Sequence, residues 1–151
     1  MESFMRCVNR VARSAGLYRG EKLERIGLNG CQHTYILTIC RNPGVSQEQL
    51  ARLIIINKSN VTRQLAVLEQ NGFITRVPDE KDRRVLRVYP TQKALDACPV
   101  VKQVLSDWQE YVMEGFTAEE REQLTGMMQR VMERADAYAD SRLSPKDGEQ
   151  G

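Results

Sequence analysis

From Ser46 to Thr91 the hydrophobic pattern changes period, and few folds accept the resulting order of elements. "SQEQLARLI" opens on Ser46 and places Gln49 three residues later, the signature of a capping box. Leu50, Leu53 and Ile54 are then expected to form its inner face. A short break at Ile56-Asn57 leads into "NKSNVTRQLAVLEQNGF". Its Val61, Leu65 and Leu68 fall at i, i+4 and i+7, and Asn71-Gly72 supplies a C-terminal cap. "FITRVPDEKDRRVLRVYP" then alternates in two runs, Phe73 to Val77 and Val85 to Tyr89, around the turn-rich "PDEKDRR". Two short helices joined by a tight turn make a helix-turn-helix, and a hairpin directly after them makes a wing.

The outward face of the second helix carries Ser59, Arg63, Ala66 and Gln70, with Asn60 and Val67 flanking and Thr62 nearer the edge. Short hydrogen-bonding side chains and one Arg suit a surface that approaches base edges closely. Arg can fork onto guanine O6 and N7, and Asn onto adenine N6 and N7. Ser and Thr can fix a helix end against phosphate. The hairpin adds Lys81, Arg83, Arg84 and Arg87, placed to reach phosphates or a narrow minor groove. Asp79, Glu80 and Asp82 weaken that field, but an acid beside an Arg can hold the guanidinium in one direction. A plain amphipathic helix beside a solvated hairpin is the other reading of the same residues.

Apolar stripes flank this lobe. Phe4, Val8, Val11, Ala15 and Tyr18 mark one face of a first helix, which "GLNG" at 27–30 ends. "CQHTYILTICR" at 31–41 is β-branched enough for a strand, yet its place before a helix-turn-helix predicts a buried helix. Leu105, Trp108, Val112 and Phe116, and then Leu124, Met128, Val131, Ala135 and Tyr138 after the capping box "TAEE", mark two more helices. A small lobe cannot cover three such stripes, so a two-fold partner is expected, with an intramolecular bundle as the alternative. The expected fold is mainly α with a small β-hairpin wing (α+β). One domain spans 1–143, with the winged lobe at 31–91, dimerisation helices at 1–26 and 101–143, and a disordered tail at 144–151.

Charge follows the same division. Residues 1–90 hold 15 Lys and Arg against 8 Asp and Glu, a net +7, and residues 91–151 hold 7 against 12, a net −5. One region facing an anion accounts for this, as does a chance segregation of solvated faces. At 41% hydrophobic and 28% charged the chain has an ordinary globular composition. It shows no apolar run of membrane length and no secretory cleavage pattern, so no membrane role and a cytoplasmic location are expected.

The stretch "VSQEQLARLIIINKSNVTRQLAVLEQNGFITRVPDEKDRRVLRVYPT" resembles the core of the MarR (multiple antibiotic resistance regulator) family of bacterial transcription factors. "NVTRQLAVLEQNGFI" carries the resemblance best, together with Asp82-x-Arg84 and Thr91 after the return strand. The resemblance implies a homodimer with interlocked first and last helices, binding double-stranded DNA. It implies a recognition helix in the major groove and a wing Arg in the minor groove. By matching position these are Ser59, Asn60, Thr62 and Arg63, and Arg84 with Asp82 orienting it. Two departures stand out: Pro90 where the family usually has Leu, and Pro99 inside what should be a long helix, which is therefore expected to begin late or to kink.

No Gly-rich phosphate loop, metal-ligand cluster or Ser-His-Asp set is visible, so neither an enzyme nor a cofactor is expected. The resemblance implies a small aromatic or phenolic effector, for which Tyr18, His33, Tyr35 and Trp108 are the candidate lining, each also readable as core. Cys7 lies beside Arg6 and Arg10, which favour a thiolate, and some relatives sense oxidants through a Cys in that helix. The aromatic residues that usually surround such a Cys are missing here, and Cys31, Cys40 and Cys98 read as buried or incidental. The expected function is a sequence-specific DNA-binding repressor released by an effector. The alternatives are a winged-helix protein-interaction module or a redox sensor acting through Cys7.

Overall fold

Ser3 accepts a hydrogen bond from the Arg6 N–H and starts helix α1, Phe4–Leu23, in the computed structural model, which describes residues 1–143. The tail expected to be disordered, 144–151, lies outside the described residues. A 3₁₀ turn at Glu24–Ile26 ends on Gly27 in the left-handed region. Helix α2, His33–Arg41, follows. Its Tyr35, Ile36 and Ile39 are buried at helical spacing, so packing overrides the β propensity of the segment. A two-residue strand β1, Val45–Ser46, leads into α3, Gln47–Ile54, whose Ser46–Gln49 capping box forms in both directions. Helix α4 spans Lys58–Gln70.

Strands β2, Ile74–Pro78, and β3, Leu86–Pro90, form the antiparallel hairpin, with Arg76 opposite Val88. β1 adds to the other side of β3 and pairs Val45 with Val88, giving the order β1-β3-β2. No sequence signal marks β1, because two residues become a strand only through a partner distant in the chain. Thr91 N–H donates to Phe73 O, and Asp79 N–H donates to Val85 O. The alternation of an antiparallel ladder then makes Ile74–Pro90 and Pro78–Leu86 non-bonded pairs. Both prolines therefore fall where the β2–β3 ladder requires no N–H, which accommodates the departure at Pro90.

Helix α5 runs from Gln92 to Val112 and contains Pro99, so it does not begin late at 101 as expected. Thr91 starts it: its carbonyl accepts from Leu95 N–H, and its hydroxyl donates to the carbonyls of Gly72 and Phe73. Pro99 deprives the Leu95 carbonyl of its helical donor. Leu95 is exposed, so water can take that place, while Ala94, Ala97, Val101 and Val104 hold the buried face in helical register. Leu53 departs from expectation too. It is 58% exposed, and Ala51 takes the inward position beside Leu50.

The residues up to Val112 form one compact unit, and those from Met113 onward a second. The first has a single core that joins Leu23 and Leu28 to α2, α3, α4, the sheet and the first half of α5. The second is helix α6, Ala118–Leu143, begun by a reciprocal Thr117–Glu120 capping box. No residue of α6 is buried. No helix among the described residues is long and apolar enough to cross a membrane.

The turn between α3 and α4 stores strain. Ile55 caps α3 at φ 55° and ψ 53°, the left-handed region that disfavours β-branched residues. That conformation costs an L residue about 1–2 kcal/mol, and Ile55 recovers little by burial because it is 48% exposed. Ile55→Asn is expected to raise stability by about 1 kcal/mol, since Asn tolerates this region. A urea midpoint that falls instead would show that the Ile55 side chain outweighs the strain.

Candidate nucleic-acid interface

Helix α4 turns one apolar edge inward and leaves the other bare. Val61, Leu65 and Leu68 are fully buried, while Ser59, Thr62, Arg63, Ala66 and Gln70 are exposed. Asn57 caps the start: its Oδ1 accepts from the Asn60 N–H at 2.8 Å and from the Ser59 hydroxyl at 2.8 Å. The Thr62 hydroxyl donates to Lys58 O at 3.0 Å. Both hydroxyls thus spend their protons within the helix and keep lone pairs outward. Lys58, which the sequence reading did not single out, lies 3.2 Å from Glu48, whose carboxyl it holds below the usual range. Arg63 makes no hydrogen bond or ion pair among the described residues.

The wing is built on two carboxylates. Asp79 accepts from the backbone N–H groups of Asp82 and Lys81 and from Arg87 Nε at 3.1 Å. Those bonds, the Asp82 N–H first and Arg87 second, lower its pKa. Arg87 also donates to Gly44 O at 3.3 Å, so it ties the wing to the start of β1 and is no free cation. Its expected place among the outward-reaching wing residues is corrected accordingly. Asp82 grips Arg84 as a fork, Oδ1 to Nε at 3.0 Å and Oδ2 to Nη2 at 3.2 Å. This contact is the main cause of the lowered Asp82 pKa. The Arg84 side chain is nonetheless 91% exposed, so the fork aims a guanidinium at solvent. Lys81 and Arg83 are exposed beside it.

These parts meet at one surface. A groove of about 220 Å³ is lined by Ser46, Gln47 and Glu48 of the α3 start, Lys58 and Thr62 of α4, and Arg84 to Leu86 of the wing. Arg76 fixes the geometry from behind. It forks onto Glu69 at 3.0 and 3.3 Å and donates to Gln47 at 3.2 Å, joining α4, β2 and α3. Asn57 could have been found from "NKSN", an Asn three residues before an N–H it can cap. Arg76 could not, because Glu69 and Gln47 become its neighbours only when α3, α4 and β2 pack together, and the Asp79–Arg87 contact depends on the hairpin register.

The sequence model of the MarR family matches residues 28–86. The chain is 29% identical over 131 residues to the HTH-type transcriptional regulator YybA of Bacillus subtilis, covering 87% of each. A MarR transcriptional regulator from Methanosarcina mazei superposes with a TM-score of 0.82 at 28% identity, over 86% of this chain and 94% of that one. The winged lobe of this chain is similar to the MarR family. A further MarR family structure, from Listeria monocytogenes in complex with 26mer DNA, shares the fold at a TM-score of 0.83 and 23% identity, covering 98% of this chain and 99% of that one.

Four aromatic positions were expected to line an effector cleft in this chain, and the structure divides them. Tyr18 and Trp108 stack at 5.2 Å between ring centroids, and Tyr111 lies 5.8 Å from Trp108. His33 is half-buried, with Nδ1 at 3.1 Å from Gly30 O and Nε2 at 3.1 Å from the Thr34 hydroxyl. Burial, and then Arg19 nearby, lower its pKa. Tyr35 is 1% exposed and donates its hydroxyl to Asn60 Oδ1 at 2.9 Å, so it is a core residue and not cleft lining. The same bond turns Asn60, expected at a base edge, toward the core. Cys7 is exposed, and so is Cys31, so of the two readings of Cys31, buried or incidental, burial is set aside. Burial and the neighbouring Cys98 push the Cys40 thiol up to about 12, which keeps it protonated.

Proposed function

We propose that this MarR family transcriptional regulator reads DNA with the outward face of α4 and the tip of its wing. The observation that carries the reading is Arg84, held outward by Asp82 across a groove from Lys58 and Thr62 of α4, next to which Arg63 is exposed and makes no hydrogen bond or ion pair among the described residues. Arg63 suits base edges in the major groove, with Ser59, Thr62 and Gln70 beside it. Arg84 suits phosphate or a narrow minor groove, with Lys81 and Arg83 adding charge. The α4 N-terminus contributes its partial positive charge at the same place.

The regulator acts as a homodimeric repressor on a pseudo-palindromic operator with half-sites about 10 bp apart. Support for the dimer comes from exposed apolar residues on α1 (Phe4, Val11, Leu17) and on α6 (Met128, Val131, Met132, Tyr138), a density that calls for a covering partner. Release by a small aromatic or phenolic effector is part of the same reading, and the stacked Tyr18 and Trp108 are its candidate contacts.

DNA selection from genomic fragments with the full-length protein tests this, followed by binding isotherms on the selected and random duplexes at several salt concentrations. The selection is expected to return a motif with two-fold symmetry. Arg63→Ala should cost about 1–3 kcal/mol on that motif and relax one base position. Arg84→Ala should weaken binding to all sequences and lower the salt slope by about 1. If both variants are folded and bind like the wild type, this surface does not read DNA, and a protein-interaction module becomes the better reading.

A further inference from the structure

Two buried polar side chains, one on α2 and one just before it, reach across the core to α4. Tyr35 Oη donates to Asn60 Oδ1 at 2.9 Å. Gln32, only 2% exposed, donates from Nε2 to Gln64 Oε1 at 3.2 Å, and its own Oε1 accepts from the Asn29 N–H at 3.0 Å. Asn60 and Gln64 are one turn apart on the same side of α4, and Arg63 lies between them in the chain.

Burial of Val61, Leu65 and Leu68 sets which face of α4 turns inward, but apolar contact is not directional and fixes the exact azimuth less sharply. Hydrogen bonds are directional. Two of them about 6 Å apart along the helix axis fix both its rotation and its slide. The lever is long. A rotation of about 10° about the axis moves the end of an Arg side chain by on the order of 1–2 Å, beyond the tolerance of about 0.5 Å that a recognition geometry allows.

We infer that Tyr35 and Gln32 are positioning residues for DNA recognition, which set the azimuth of α4 through Asn60 and Gln64 so that Arg63 meets its base in register. Asn60 serves the helix by accepting from Tyr35 and does not fork onto an adenine. The inference rests on the reading of α4 as the DNA-reading helix.

The test uses full-length protein, the duplex recovered by selection with the wild type, and a random duplex of equal length. Tyr35→Phe removes one hydroxyl and leaves the ring in the core. It is expected to lower affinity for the selected duplex about 5-fold, the size of one hydrogen bond, and to leave random-duplex affinity and the salt slope at wild-type values. A repeat selection with Tyr35→Phe should return a flatter preference at the position that Arg63→Ala relaxes. Asn60→Ala should reproduce both effects, and the double variant should lose no more than either single one. Should Tyr35→Phe fold poorly, Asn60→Ala and Gln64→Ala carry the comparison from the exposed side of the pair.

Three results overturn the inference. Thermal stability could fall in Tyr35→Phe with its operator-to-random ratio unchanged, while Arg63→Ala still loses affinity; the DNA reading then stands and the positioning role does not. Asn60→Ala could abolish preference at one base pair that Tyr35→Phe leaves intact, which would make Asn60 a direct reader. Arg63→Ala could be neutral, in which case the DNA reading itself fails and takes the positioning role with it.

Discussion

Val61→Asp is expected to leave no cooperatively folded lobe. Val61 is fully buried in the first full turn of α4, in one cluster with Leu65, Leu68, Leu50, Ile36 and Phe73. A carboxylate placed there loses its water and gains no cation. Even as the neutral acid, it carries polar atoms that cost several kcal/mol without partners. Total stability of a domain this size is only about 5–15 kcal/mol. Val61→Ala separates the charge from the lost volume: it should unfold cooperatively with a loss of about 1–3 kcal/mol. Circular dichroism with urea titration reads both. A Val61→Asp protein that melts like the wild type would mean that α4 turns a different face inward, and the assignment of Ser59, Thr62 and Arg63 to the outer face would fall with it.

Helix α4 was legible because its instructions are local. Asn57 caps it, the i, i+4, i+7 apolar spacing orients it, and Asn71-Gly72 ends it, all within one short stretch. The same holds for the Ser46–Gln49 and Thr117–Glu120 capping boxes, whose partners are three residues apart. The pairing of Arg84 with Asp82 was implied by the family resemblance, and it too joins residues close in the chain. What escaped depends on neighbours distant in the chain. Arg87 looked like a free wing cation until the sheet brought it to Gly44, and Asn60 looked like a base reader until α2 brought Tyr35 against it. Pro99 was read as a late start or a kink of its helix from its missing N–H alone. The exposure of Leu95, whose carbonyl it frees, and the four small apolar residues that seat the opposite face are tertiary facts.

Glycine substitutions between α1 and α2 should change stability in opposite directions, and the sign follows from where each Cβ would point. Gly16 and Gly20 lie inside α1, where Gly costs about 0.5–1 kcal/mol relative to Ala. A Cβ on either would find its nearest neighbour at 3.9 Å, an ordinary contact. Gly16→Ala and Gly20→Ala are therefore each expected to stabilise by about 0.5–1 kcal/mol. Gly30 is different. A Cβ there would lie 2.5 Å from Gly16 O, 3.1 Å from Gly20 N and 3.4 Å from Gly20 Cα, all of them backbone atoms of α1. No side chain can swing aside, so α1 must move away from the loop. That movement breaks the bond from Arg19 Nε to Gly30 O at 3.0 Å and disturbs the loop that carries Asn29 and Gln32. Overpacking of this kind costs about 1–3 kcal/mol, and the lost hydrogen bond adds about 1 more. Gly30→Ala should thus fall by about 2–4 kcal/mol in urea unfolding while its two neighbours on α1 rise. A Gly30→Ala midpoint at or above the wild type would show that α1 does not pack against this loop at the distance described.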